Sequence, residues 1–366
     1  MLLKPVLRFF CLTLMINSAT PVMAAASLTK ITGQLSHPWG MDFLTEDELL
    51  ITERPGGLVR VNWQTGSRYP IQNLEAVLGG ALYDVQQGGL LDILIDQNDD
   101  GPRLYLCFAR RMDGGAATAL LSARLDNDRL TDTSLLFTSN SIRKGGRHFG
   151  CRLAIDGAYL FMSIGDRGQR EDAQDPRSHS GAVVRLDKLT GAMAGSNSQP
   201  DWDPALFTKG HRNPQGMAIH PETGDIWVHE HGPKGGDEIN RLQSGANYGW
   251  PVVSHGKEYF GGPVGEGKIS APGLIDPLWV WVPSIAPSGM AFYSGDMFPE
   301  LEGDLLVGSL KFRSLYAVSI EAGVPVREEI LLKQKIGRIR DVAIAPDGSI
   351  LLLNDSSNGG LFRLSQ

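Results

Sequence analysis

Residues 341–364 read Asp341-Val342-Ala343-Ile344-Ala345-Pro346-Asp347-Gly348-Ser349-Ile350-Leu351-Leu352-Leu353-Asn354-Asp355-Ser356-Ser357-Asn358-Gly359-Gly360-Leu361-Phe362-Arg363-Leu364. Three short apolar runs are parted by Pro-Asp-Gly and Asn-Gly-Gly turn residues, the pattern of a small antiparallel meander. It recurs up the chain. Gly289-Met290-Ala291-Phe292 is followed by Gly303-Asp304-Leu305-Leu306-Val307-Gly308 and Ser314-Leu315-Tyr316-Ala317-Val318. Gly216-Met217-Ala218-Ile219 precedes Asp225-Ile226-Trp227-Val228-His229-Glu230. Arg152-Leu153-Ala154-Ile155 leads to Tyr159-Leu160-Phe161-Met162-Ser163-Ile164 and Gly181-Ala182-Val183-Val184-Arg185-Leu186. The remaining copies run from Gly89-Leu90-Leu91 to Leu104-Tyr105-Leu106-Cys107-Phe108, and from Gly40-Met41-Asp42-Phe43 through Glu48-Leu49-Leu50-Ile51 to Gly57-Leu58-Val59-Arg60-Val61.

Six such copies, spaced roughly 50 to 70 residues apart, predict an all-β chain folded as a six-bladed β-propeller of four-stranded antiparallel blades. Runs such as Leu351-Leu352-Leu353 suit strands buried on both faces between neighbouring blades; a half-exposed strand would alternate. Residues 167–180, 190–212 and 231–288 break the rhythm, which marks them as long functional loops on one face of the ring.

Composition agrees with this reading. The 366 residues are 42% hydrophobic and carry 44 Gly and 21 Pro, too apolar for disorder and rich in turns. The net charge of −7 repels nucleic acid and anionic membranes, so a basic site has to be local. Lys4 and Arg8 precede the apolar run Phe9–Ile16, and Val22-Met23-Ala24 supplies small residues before a cleavage point. Residues 1–24 are therefore predicted to be a signal peptide and residues 25–366 an exported propeller. The run is too short to span a bilayer and no later stretch is longer, so no membrane insertion is expected. Removal of the leader leaves Cys107 and Cys151, and the sequence leaves open whether they pair or stay as separate buried thiols.

Several familiar motifs fail on inspection. Gly262–Lys268 resembles a phosphate loop but is followed by Ile269 in place of Ser or Thr. Asp96–Gly101 starts like a calcium loop, yet Cys107 stands where a Glu should close it, so a hairpin turn is expected. His229-Glu230 lacks the second His of a zinc-protease helix, and no Gly-x-Ser-x-Gly elbow occurs. What remains is a set of polar clusters where strands meet loops: Gln87-Gly88-Gly89, Arg147-His148-Phe149-Gly150, Gly165-Asp166-Arg167-Gly168, His211-Arg212-Asn213-Pro214-Gln215, Lys311-Phe312-Arg313 and Arg338-Ile339-Arg340-Asp341. Equivalent positions of successive blades converge on the axis. Arg212, Lys311, Arg338 and Arg340 then either form one cationic pocket for a polyanionic small molecule or make salt bridges between blades with residues such as Asp341.

With these residues the chain resembles the soluble quinoprotein glucose/sorbosone dehydrogenases, most closely the periplasmic aldose sugar dehydrogenases that use pyrroloquinoline quinone (PQQ). The resemblance runs from His37-Pro38-Trp39-Gly40-Met41 to Arg338–Val342 and is most specific at Gln87–Leu91, His148–Leu153, Gly210–Gly216 and Gly232–Glu238. It implies PQQ on the propeller axis with calcium beneath it. It further implies that His148 is the base taking the proton of a sugar C1 hydroxyl while hydride passes to the quinone, that Asp166 orients it, and that Arg212 and Asn213 contact the quinone oxygens. Gln87, Lys311, Arg338 and Arg340, with Arg313 as a weaker match, correspond to groups that bind the cofactor carboxylates. Gly232 and Pro233 match positions whose main-chain carbonyls ligate calcium, and Glu238 with the Tyr248 carbonyl resembles a further calcium site. Tyr259, Trp279 and Trp281 are candidates to stack on sugar or cofactor, with core packing as the alternative.

Two departures from the family pattern stand out. Cys151 replaces a small residue, and the loops across 231–288 look short, implying an open mouth and a broad aldose range. The resemblance also implies an aldose sugar substrate, an external electron acceptor, periplasmic location and a monomer or homodimer. Two rival readings remain: a calcium-dependent lactonase using residues such as Glu53 and Asn213, and a propeller that binds a peptide or glycan without catalysis.

Overall fold

Each meander folds into one sheet, and the sheets stand around a common axis. The computed structural model describes residues 26–98, 100–194 and 199–366; the predicted signal peptide lies outside them. The chain enters through β1 (Ser27–Leu35). Blade 1 is β2 (Pro38–Phe43), β3 (Glu48–Glu53), β4 (Gly57–Asn62) and β5 (Arg68–Pro70). Blade 2 is β6 (Leu90–Asp96), β7 (Arg103–Met112), β8 (Gly115–Asp126) and β9 (Arg129–Thr138). Blade 3 is β10 (Leu153–Asp156), β11 (Tyr159–Ile164), β12 (Ala182–Asp187) and β13 (Leu206–Lys209). Blade 4 is β14 (Pro214–Ile219), β15 (Ile226–Glu230), β16 (Asp237–Arg241) and β17 (Trp279–Trp281). Blade 5 is β18 (Pro287–Phe292), β19 (Leu305–Ser309), β20 (Ser314–Glu321) and β21 (Val324–Lys333). Blade 6 is β22 (Ile339–Ile344), β23 (Ile350–Asn354) and β24 (Gly359–Ser365), completed by β1, which pairs antiparallel with β24 from Ser27↔Ser365 to Leu35↔Gly359.

The six four-stranded antiparallel sheets bear out the predicted propeller. The loop reading needs correction in two places. Residues 190–212 contain β13, and residues 231–288 contain β16 and β17, so both are blade strands with connections rather than continuous loops. Asp237-Glu238-Ile239-Asn240-Arg241 carries no apolar run, and it is a strand because β15 and β17 pair with it on either side. β6 and β7 pair antiparallel from Leu90↔Phe108 to Asp96↔Arg103, the hairpin expected there.

Burial between blades explains the apolar triplets: Leu351, Leu352 and Leu353 are all fully buried. Between blades 2 and 3, Trp39, Leu91, Tyr105, Phe149 and Leu160 pack into one cluster, through which the Cys107–Cys151 disulfide ties β7 to the start of β10. That closes the question left open by the sequence.

Around the axis the inner strands are stitched by carboxylates. Asp341 accepts from the Met41 N–H, Asp42 from Ile95 N–H and Asp92 from Leu153 N–H, each bond passing from one blade to the next. These carboxylates explain a glycine within the inner strands: a Cβ on Gly40 would meet Asp92 Oδ1 at 2.7 Å, and one on Gly289 would meet Asp341 Oδ1 at 2.0 Å. Arg152, buried on the axis, pairs with Asp92 at 2.9 Å and Asp341 at 2.8 Å. Its Nε donates to the Gln215 carbonyl, Nη2 donates to the Arg340 carbonyl, and its guanidinium lies 4.4 Å from the Trp39 ring. One cation thus engages blades 1, 2, 4 and 6.

Replacing Arg152 by Leu strands two buried carboxylates and is expected to cost about 3–5 kcal/mol. Urea denaturation of the R152L variant checks this; an unchanged midpoint would contradict it.

Candidate active site

The connections that enter the inner strands and those that leave the second strands emerge at one end of the ring, and the predicted site residues sit on them. His148 lies just before β10 at φ 53°, in the left-handed region, and its N–H donates to Gln87 Oε1 at 2.8 Å. Its Nδ1 lies 2.6 Å from Asp166 Oδ1. The other Asp166 oxygen accepts from Trp250 Nε1 at 2.9 Å, and Gly168 N–H donates to Oδ1. The carboxylate is thereby fixed in rotation and holds the ring by Nδ1–H, leaving the Nε2 lone pair free to take a proton. Burial holds His148 below its ordinary pKa, with the Asp166 hydrogen bond opposing and the Arg212 charge adding to the depression. Burial by itself would raise Asp166, but the bond to His148 and the Arg212 charge keep it below the usual carboxylate range. A neutral imidazole beside an ionised carboxylate is the arrangement of a general base.

Beside this pair a cavity of about 290 Å³ opens on the axis, lined among others by Trp39, Gln87, Asn213, His231, Arg338 and Arg340. Arg54, Arg338 and Arg340 face it against a single carboxylate, Asp355. Asp355 accepts from Arg340 at 3.1 Å and from Arg338 at 3.3 Å, and lies 2.9 Å from His37 Nδ1. Burial draws the Arg340 guanidinium down to about 10, with Asp355 opposing and the charges of Arg152 and Arg338 reinforcing. Its buried Nε has no hydrogen-bond partner among the described residues. The wall therefore holds more positive charge than it neutralises, and it suits a ligand with several carboxylates.

Of the two sequence readings for the arginines, both hold in part. Arg338 and Arg340 share Asp355, yet they still line one pocket; Asp341 pairs with Arg152 instead. Arg212 is buried next door, its Nη1 donating to the carbonyls of His231 at 2.9 Å and Gly232 at 3.3 Å, and its guanidinium 5.4 Å from the Trp250 ring. Asn213 accepts from Gly150 N–H at 3.3 Å. Lys311 and Arg313 are exposed on the β19–β20 turn just beyond Leu310, and their side chains are not in the cavity wall. Tyr259 stands at the mouth, 62% exposed, with its hydroxyl 3.5 Å from Arg212 Nη2.

A second hollow, about 10 Å³, lies between Arg212, Glu230, Gly232, Glu238 and Tyr248. Glu230 and Glu238 are cross-strand neighbours, and burial together with the Glu230 charge pushes the Glu238 carboxyl well up. Pro233 is buried on the same β15–β16 turn, its carbonyl accepting from Lys257 N–H.

Trp279 and Trp281 are not at the mouth. Both belong to β17 and pack in a blade-to-blade cluster with Trp227, Met290 and Tyr316, and Trp281 donates to Glu328. The site residues that sequence reasoning missed are Trp250 and His231. Trp250 carried no signal, since its role depends on a contact 84 positions away in the chain. His231 lines both hollows and is held neutral, drawn to about 3 by burial against the opposing Pro287 carbonyl. Of the pair suggested for hydrolysis, Glu53 accepts from Ser36 N–H at 2.5 Å and Asn213 accepts from Gly150 N–H at 3.3 Å.

Residues 35–363 match the family model described as glucose/sorbosone dehydrogenase. An aldose sugar dehydrogenase of Escherichia coli is 36% identical over 363 residues, covering 93% of each chain. A quinoprotein glucose dehydrogenase of Acinetobacter calcoaceticus is 24% identical, over 90% of this chain and 85% of that one. A crystal structure of a glucose dehydrogenase, 39% identical, superposes with a TM-score of 0.87 and covers 93% of this chain and 99% of its own.

In an NMR titration, the His148 imidazole is expected to protonate below 6.5. Asp166→Asn removes a hydrogen bond and a charge that favour the imidazolium, so it lowers the midpoint further. A rise on substitution would contradict the assignment.

Proposed function

The chain belongs to the glucose/sorbosone dehydrogenase family, and from that premise we propose that it is a PQQ- and calcium-dependent aldose sugar dehydrogenase of the periplasm, delivered there by the signal peptide at residues 1–24. The observation that carries the reading is the uncompensated positive wall of the axial cavity set against a neutral, carboxylate-oriented histidine. Hydrolysis of a lactone gives no use for that charge.

PQQ fits the cavity chemically. Arg338 and Arg340 would hold its carboxylates, Gln87 would add an amide, and Lys311 and Arg313, which follow the cavity-lining Leu310 in the chain, would supply further cations. When bound, it supplies the acceptor for the hydride from sugar C1. Calcium fits the oxygen-rich ground near Arg212: the carbonyls of Gly232 and Pro233 would hold one ion, which polarises a carbonyl oxygen as a Lewis acid, and Glu238 with the Tyr248 carbonyl would hold another.

The chain's own residues do the rest. His148 Nε2 takes the C1 hydroxyl proton, and Asp166 keeps the tautomer that makes this possible while stabilising the imidazolium that results. Trp250 keeps Asp166 from turning away. Arg212 and Asn213 place a cation and an amide donor where negative charge develops, in a buried setting where such donors count for more than in water. Tyr259 borders the entrance and contacts cofactor or sugar. Loss of the hydride from C1 and of the proton from its hydroxyl leaves the lactone, and two electrons pass to an external acceptor.

Dye-linked dehydrogenase activity of the purified mature protein over an aldose panel is expected only after PQQ and calcium are added. His148→Ala should lower kcat by about 10²–10⁴ while PQQ still binds. Failure to bind PQQ in the presence of calcium would overturn the reading in favour of hydrolysis.

A further inference from the structure

Charge on this molecule is unevenly divided between the two ends of the ring. At the end where the axial cavity opens, Lys144, Lys234, Lys257 and Lys335 are exposed on four different connections, and none makes an ion pair or a side-chain hydrogen bond among the described residues. Of the carboxylates at this end, Asp172 pairs with Arg143, Glu258 with Arg170, and Asp355 with Arg338 and Arg340, while Asp84, Asp113 and Glu171 stand exposed and are outnumbered by the exposed Arg147, Lys311, Arg313 and Lys333. At the opposite end Asp47, Asp100, Asp126, Asp156, Glu222 and Glu300 stand exposed on the turns without cationic partners among the described residues. A chain of net charge −7 thus presents a basic face around its site. An anionic body is drawn to the mouth, and a cationic one is drawn away from it.

The same rim carries an apolar tip. Phe260 is fully exposed and Tyr259 is 62% exposed on a short hairpin. The hairpin is pinned by the Lys257↔Pro263 bridge, by Glu258 N–H to the Gly262 carbonyl at 3.1 Å, and by the Arg170–Glu258 ion pair at 2.6 Å. An aromatic side chain held out on a fixed turn and flanked by Lys234 and Lys257 is the composition of an interface centre with a charged rim.

We propose that the lysine rim and the Tyr259-Phe260 tip form the docking surface for an acidic electron-carrier protein whose haem edge is brought to the mouth of the axial cavity. The proposal rests on the dehydrogenase reading and names the class of its acceptor. The aldose gives up the C1 hydride and the hydroxyl proton. Two ferric haems each take one electron, so the balance is aldose + 2 Fe(III) → lactone + 2 Fe(II) + 2 H⁺. A carrier of opposite charge gains in encounter rate what the small contact area withholds in affinity, and it leaves quickly after each electron.

The probe is cytochrome c in two forms, the native basic protein and its succinylated acidic derivative, which keep the same haem. With PQQ-loaded enzyme at low salt, the succinylated form is expected to be reduced about tenfold or more faster than the native form, and its rate to fall about tenfold as ionic strength rises to roughly 0.5 M. The combined K144E, K234E, K257E and K335E variant should lower that rate about tenfold and Phe260→Ser should lower it several-fold, with dye-linked turnover unchanged in both. Equal reduction of the two forms, or no effect of salt and charge reversal, would overturn the proposal while leaving the dehydrogenase reading intact. Absent dye-linked turnover is the separate failure of that reading. In that event, calorimetric titration of the two cytochromes still decides whether the acidic one alone binds. Sedimentation of the protein with phosphatidylglycerol vesicles, without preference between the cytochromes, would assign the rim to a membrane surface and overturn it as well.

Discussion

The structure depends on how a ring of sheets closes around an axis that cannot be filled by apolar side chains alone. Inner strands of neighbouring blades approach so closely that glycine is required at Gly40 and Gly289, and the backbone N–H groups exposed there need acceptors. Asp42, Asp92 and Asp341 supply them from the preceding blades. Three carboxylates on one axis repel one another, and burial drives Asp42 and Asp92 up to about 7. Arg152 relieves two of the three directly. Its guanidinium also lies over Trp39, which lines the functional cavity, so the residue that holds the blades together also underlies the floor of the site.

From that floor upward the sign of the charge reverses. Below Arg152, the far axial hollow is lined by Asp42, Asp92 and Asp341 among apolar residues. Above it stand Arg340, Arg338 and Arg54, with Asp355 alone in opposition. A fold under selection for stability alone gains nothing from a buried guanidinium with an unpartnered Nε. An anionic ligand bound there would complete the site and stabilise the folded state by mass action. The His148–Asp166–Trp250 chain shows the same economy: each group fixes the next, so the base is oriented before a substrate arrives.

What could be read from the sequence follows from what each feature depends on. Strands whose apolar runs are local, such as Leu351-Leu352-Leu353, and motif-borne side chains such as His148, Asp166, Arg212 and Arg340, announce themselves. Strands that exist only because partners flank them do not. β16 reads as a charged loop, and β1, mostly polar and exposed, closes the ring solely by pairing with β24 at the other end of the chain. Trp250 likewise has no local signature, because its contact with Asp166 is made by a connection folding back over blade 3. The disulfide was undecidable for the same reason: Cys107 and Cys151 lie 44 residues apart, and only the packing of blade 2 on blade 3 brings them together. Trp279 and Trp281, for which the sequence left stacking and core packing both open, serve the core.

The most direct measurement is a crystal structure of the protein soaked with PQQ and calcium. The cofactor is expected in the axial cavity, its carboxylates toward Arg338 and Arg340, its reactive face within reach of His148, and calcium on the Gly232 and Pro233 carbonyls. A cofactor bound elsewhere, or an axial cavity left empty at saturating PQQ, would contradict that expectation.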